Sequence, residues 1–144
     1  MSDPLPISVL GSTGAIGRAT LDIVRLFPER FRVRALAARR DIDQLFRQIA
    51  EFRPEAVAVQ DPDAAAKLRA MHPGCEVLEG QSGCCDLAAR SAHRVVCGMV
   101  GASGLAPLLA ALDAGNASLS VLGYSLTPDP ADVEPLALLL QEKA

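Results

Sequence analysis

Three glycines at intervals of three, Gly11, Gly14 and Gly17, stand directly behind the apolar run Ile7-Ser8-Val9-Leu10. The run predicts a short buried strand, and the residues from Ile16 to Phe27 predict a helix. A glycine turn between them leaves backbone N–H groups exposed, and the helix dipole adds partial positive charge at the same place. Strand, turn and helix start together form the usual seat of a dinucleotide pyrophosphate. The spacing is G-x-x-G-x-x-G rather than the commoner G-x-G-x-x-G, and glycine turns also arise from tight packing alone.

A second signal lies downstream. Phe31 to Ala37 predicts a second strand, and Arg39-Arg40-Asp41 stands at its end. In a βαβ unit that end meets the adenosine ribose. An acidic residue there accepts from the 2′-hydroxyl and selects NAD, whereas arginine accommodates a 2′-phosphate and selects NADP. Two adjacent guanidiniums favour the phosphate, which they bind through paired donors. Asp41 doubles as an N-cap for the helix that follows. The competing account makes both arginines ordinary solvated charges.

The chain has 144 residues, enough for one domain with a real core. Half the residues are apolar, only 3% are aromatic and none is Trp, so the core is aliphatic. Net charge is −3 with scattered basic residues. No basic stripe interleaved with aromatics appears, which argues against a nucleic-acid partner. No apolar run reaches membrane-spanning length, and the N-terminus shows no secretory pattern, so a cytoplasmic location is expected. Cys75, Cys84, Cys85 and Cys97 match no zinc or redox spacing and are expected to be reduced thiols, with Cys97 in a strand core. His72 and His93 have no partner at ligand spacing, and no metal site is assigned.

Along the chain, strands and helices alternate. Helices are predicted over 41–52, 62–71, 82–91, within 101–115, and over 131–143; strands over 56–59, 76–78, 94–98 and 117–122. The alternation predicts a single α/β domain: a doubly wound, mainly parallel sheet with helices on both faces. Ligands bind such sheets beyond the carboxyl ends of the strands. That rule gathers 11–17, 39–41, 98–104 and 122–125 around one crevice. The stretch Gly98-Met99-Val100-Gly101-Ala102-Ser103-Gly104 is a second glycine-rich turn, open between lining the ligand and merely packing tightly.

With these residues in hand, the chain resembles the N-terminal domain of the 1-deoxy-D-xylulose 5-phosphate reductoisomerase family. The resemblance runs from about Ile7 to Gly115. It is carried by Ile7 to Gly17 with Thr20-Leu21-Asp22-Ile23-Val24, by Pro28 to Val33, by Gln48 to Pro54, and by Val100 to Pro107. It implies a Rossmann-like NADPH-binding domain. It implies that the first turn, Gly11 with Thr13, Gly14, Ala15 and Ile16, holds the pyrophosphate. The family reads the ribose phosphate with a Gly-Lys-Asn or similar triplet, and Arg39, Arg40 and Asp41 take that place here. Arg40 keeps the positive charge, while Arg39 and Asp41 depart from the pattern.

Other departures concern catalysis. After Gly115 the family continues with a lysine and then Ala-Asn-Lys-Glu, which touch cofactor and substrate; this chain has Asn116 and then Val121-Leu122-Gly123-Tyr124. The family uses a divalent metal, magnesium or manganese, on a sugar-phosphate substrate, and is commonly dimeric. Its metal-ligating segment has no counterpart here, and Asp129, Asp132 and Glu134 are read as helix-start residues. The expectation is therefore an NADPH-binding domain of this isoprenoid-pathway family, with no assigned catalytic residue. The alternatives are a non-catalytic dinucleotide-binding or interaction module, and a structural domain without a ligand.

Overall fold

The computed structural model describes residues 3–90, 94–99, 102–116 and 118–120. Elements alternate as β1 (Leu5–Leu10), α1 (Ala15–Leu26), β2 (Phe31–Ala38), α2 (Ile42–Phe52), β3 (Ala56–Val59), α3 (Pro62–Ala70), β4 (Glu76–Glu79), α4 (Gly80–Ala89), β5 (Arg94–Cys97), α5 (Ala102–Asp113) and β6 (Ser118–Ser120). The strands form one sheet in the order β4-β3-β2-β1-β5-β6, and every neighbouring pair is parallel. The chain steps outward from β1 to β4, then returns to the far side of β1. The strand order therefore switches between β1 and β5, where open α/β sheets bind ligands.

Strand alternation sorts the two faces by size. Ile7, Val9, Val57, Val59 and Val96 face α1, α2 and α3, packing on Leu21, Leu45 and Leu68. Each of those three leucines is at most 1% exposed and contributes about 1.5–3 kcal/mol through burial. The other face is built from Ala35, Ala37, Ala56 and Ala58 against Cys84, Leu87, Ala88 and Ala111 of α4 and α5. The Ala56-Val57-Ala58-Val59 run thus places valine on one layer and alanine on the other.

Local signals set the ends. Asp41 caps α2 by accepting from the Gln44 N–H at 3.2 Å, and Asp61 caps α3 by accepting from the Asp63 N–H at 3.0 Å, with Pro62 in the first turn. Two element starts differ by two residues from the sequence expectation. β1 begins at Leu5 and includes Pro6, although proline cannot donate to a ladder. Its pairing with β5 starts only at Ile7, so at Pro6 the strand has a neighbour on one side alone. α4 starts at Gly80, not at Ser82: Gly80 has φ +75, which lets β4 turn straight into the helix. All four cysteines are free, with Cys84 and Cys97 buried, the latter in β5. The expected helix over 131–143, the segment 122–125 and His93 lie outside the described residues.

Candidate functional site

The β1–α1 turn is held by hydrogen bonds from both neighbouring strands. The Gly11 and Ser12 N–H groups donate to the Ala37 carbonyl at 2.7 and 2.9 Å, and the Gly98 N–H donates to the Leu10 carbonyl at 2.8 Å. Gly11 has φ +78, and a Cβ there would sit 2.9 Å from the Gly98 carbonyl carbon. Gly17 is tighter still: a Cβ would meet the Gly11 oxygen at 2.1 Å. These two glycines are required by the fold. Gly14 is not. Its φ is −82, and the nearest neighbour of an added Cβ is the Gly11 oxygen at an ordinary 3.5 Å. Gly14 lines the space above the turn.

That space is a cavity of about 230 Å³ lined by Gly11, Thr13, Gly14, Arg39, Gln60, Gly98 and Met99. It sits at the carboxyl ends of β1, β2, β3 and β5, across the switch in strand order. It falls below the roughly 300–1,000 Å³ of pockets that enclose a whole small ligand. Two larger hollows have other surroundings. One, of about 790 Å³, lies by the starts of β3 and β4 beside Glu55, His72 and Glu76. The other, of about 520 Å³, runs between α1 and α2.

Of the sequence-predicted residues, Gly11, Thr13, Gly14 and Arg39 line the cavity. Ala15 and Ile16 form the first turn of α1 immediately beside it, and the Ile16 Cβ would lie 3.1 Å from a Cβ on Gly98. Arg40 is exposed one residue further on, and Asp41 uses its carboxylate to cap α2. The 98–104 turn divides. Gly98 and Met99 line the cavity, whereas Gly104 packs so closely that a Cβ would meet the Met99 oxygen at 2.6 Å. Gln60 was not foreseen, although the strand-end rule finds it as the residue directly after β3. Its Nε2 donates to Gln81 Oε1 at 2.9 Å.

The electrostatics suit an anion. The first turn of α1 contains no acidic residue, and no side chain caps it. As at any helix start, the amides of Ala15, Ile16 and Gly17 have no acceptor within the helix. Arg39 and Arg40 form no ion pair among the described residues, as is true of Arg18, Arg30, Arg47 and Arg53; of these, Arg39 lines the cavity. Cys97 lies just below the turn, and burial pushes its thiol above the ordinary range. A neutral thiol is no nucleophile at neutral pH. Among the described residues, no group of three or more His, Cys, Asp or Glu side chains is placed to hold a metal ion. Asn116, standing where a family lysine was expected, is buried and donates to the Ala88 and Arg90 carbonyls at 2.9 and 2.8 Å. It fastens the end of α4.

The family model for 1-deoxy-D-xylulose 5-phosphate reductoisomerase matches residues 7–119. The chain belongs to the 1-deoxy-D-xylulose 5-phosphate reductoisomerase family. The reductoisomerase of Nitrosococcus oceani is 44% identical over 115 residues, covering 76% of this chain and 29% of that protein. That of Chlorobaculum tepidum is 46% identical over 114 residues, covering 76% and 30%. Among solved structures, the Zymomonas mobilis reductoisomerase in complex with NADPH superposes with a TM-score of 0.76 at 28% identity, over 82% of this chain and 32% of that one. A reductoisomerase structure with NADPH, fosmidomycin and magnesium gives a TM-score of 0.74 at 34% identity, over 79% and 29%. The chain thus spans about 29% of the length of the curated reductoisomerases it matches. The doubly wound Rossmann-like fold expected from the sequence is the one these reductoisomerases share. No helix among the described residues is long and apolar enough to cross a membrane.

Proposed function

We propose that this chain binds NADPH as the dinucleotide-binding part of a 1-deoxy-D-xylulose 5-phosphate reductoisomerase. The observation that carries the reading is the cavity at the glycine turn, lined by Gly11, Thr13, Gly14 and Arg39, with Gly14 at a position where the fold itself leaves room for a Cβ. The pyrophosphate rests on the amides of Thr13, Gly14, Ala15 and Ile16, at the positive end of α1. Arg39, free of ion pairs and facing the cavity, takes the 2′-phosphate, with Arg40 adding charge beside it. Asp41 caps the start of α2 through Oδ1, and its exposed carboxylate stands beside the two arginines. NADPH supplies a hydride; the chain supplies binding, orientation and charge.

The reductive isomerisation of a sugar phosphate belongs to the proposal for the whole enzyme. The described residues do not fit the divalent metal that this reaction requires. We therefore expect the 144-residue chain to bind NADPH without turning it over. Calorimetric titration tests the first half, with NADPH binding and NADH binding more weakly. Arg39→Ala is expected to remove that preference and Arg40→Ala to reduce it. Oxidation of NADPH in the presence of 1-deoxy-D-xylulose 5-phosphate and magnesium tests the second half. No heat of binding from NADPH overturns the assignment.

A further inference from the structure

One side chain reaches the glycine turn from outside the cavity. Gln48, in the middle of α2, is 7% exposed, and its Nε2 donates to the Ser12 carbonyl at 2.9 Å across 36 positions of sequence. Ser12 is itself fully buried. The Ser12–Thr13 peptide is trans, as are all described peptides. In a planar trans peptide the C=O and the N–H point in opposite directions. Tying the Ser12 carbonyl to α2 therefore turns the Thr13 N–H away from α2. Thr13 lines the cavity, and among the described residues its N–H has no acceptor.

From this geometry we infer that Gln48 is a positioning residue, which aims the Thr13 amide into the cradle as a donor to the cofactor pyrophosphate. The inference rests on the NADPH reading above. The other amide atom, Gln48 Oε1, is buried without a hydrogen-bond partner. The bond to the Ser12 carbonyl is thus the one hydrogen bond of the Gln48 amide among the described residues, and it fixes the direction of that carbonyl.

The test is Gln48→Met in the full chain, read with two ligands. One is NADPH. The other is adenosine 2′-monophosphate, which carries the ribose phosphate and neither phosphate of the pyrophosphate bridge. The expected result is NADPH binding weakened about tenfold or more, the loss of one charge-assisted hydrogen bond, with monophosphate affinity preserved. Equal weakening of both ligands, or unchanged NADPH affinity, overturns the inference. The unmodified chain gives an independent reading in case the variant folds poorly. Inorganic pyrophosphate should shift the Thr13 amide resonance and leave that of Gly11, already bonded to Ala37, in place. An unmoved Thr13 amide also overturns it. If the unmodified chain binds neither nucleotide, the NADPH assignment fails first and this inference with it.

Discussion

Gly14 and Gly17 lie three residues apart in one turn and answer to different constraints. A methyl group on Gly17 would collide with backbone, at 2.1 Å from the Gly11 oxygen and 2.5 Å from the Ser12 Cα. Backbone cannot rotate out of the way as a side chain does. Gly17→Ala is therefore expected to cost about 1–3 kcal/mol or more, read as a lower urea midpoint. A methyl group on Gly14 meets nothing closer than 3.5 Å. Gly14→Ala changes a helix N-cap and should cost less than about 1 kcal/mol. It should nevertheless lower NADPH affinity by about 1.4 kcal/mol or more, a factor of ten, because the methyl group occupies the cradle. If the two variants lose stability and affinity in parallel, the division of labour is wrong. The sequence shows three equal glycines; only the distances around each one separate packing from access.

At the scale of elements, α1 and α2 are joined at the surface by one arginine. Arg25 donates to Asp22 on its own helix and to Glu51 on α2, with its Nη2 2.8 Å from Glu51 Oε1, and its guanidinium lies 5.3 Å from the centre of the Phe52 ring. The hydrogen bond from Arg25 holds the Glu51 carboxyl below its usual value of 4.5. A carboxyl lowered in the folded state adds stability above its unfolded value and loses it as pH falls through the folded one. Glu51 is 44% exposed, so solvent screening limits the pair to about 0.2–1 kcal/mol. Glu51→Gln should be less stable than the parent by that amount at neutral pH. The gap should close as pH falls below the ordinary carboxylate value and through the lowered folded one, where the parent carboxyl takes up its proton. A gap that persists at the acid end would assign the effect to packing.

The two sheet faces give another test at this scale. Cys84 of α4 lies against the alanine face, and burial pushes its thiol up to about 11; Cys97 is raised by the same cause. Ellman's reagent should label the half-buried Cys75 and Cys85 first, and reach Cys84 and Cys97 only in denaturant. The alternation of elements was legible because short apolar stretches such as Ile7 to Leu10 and Ala56 to Val59 alternate with segments of helical spacing, and Gly11, Asp41, Asp61 and Pro62 mark several of the joins. The caps Asp41 and Asp61 were legible for the same local reason. What escaped depends on neighbours distant in sequence. Pro6 is tolerated because β5 joins one residue later, Gln60 reaches the cavity because β3 lies beside β2, and Gln48 reaches Ser12 because α2 covers the turn.

At the scale of the molecule, the cavity lies at the carboxyl ends of four strands of one parallel sheet, beside the exposed Arg39 and Arg40. A ligand that binds only the folded chain stabilises it by mass action, by about 2.7 kcal/mol at a hundred times its Kd. For a domain of this length that corresponds to a rise in Tm of about 5–10 °C. The backbone part of the cradle is common to both dinucleotides, so NADH should also raise Tm. On the proposed assignment the excess with NADPH comes from the 2′-phosphate on Arg39, which is exposed and free of any ion pair among the described residues. Exposed charges are screened over about 8 Å at physiological salt and over shorter distances above it. Raising sodium chloride should therefore shrink the NADPH excess while the shared, backbone-bound part changes less. Arg39→Ala should show little excess at any salt concentration. Equal shifts from the two cofactors at low salt would mean that the guanidinium at the end of β2 does not read the phosphate, and that selection between them lies in residues other than Arg39.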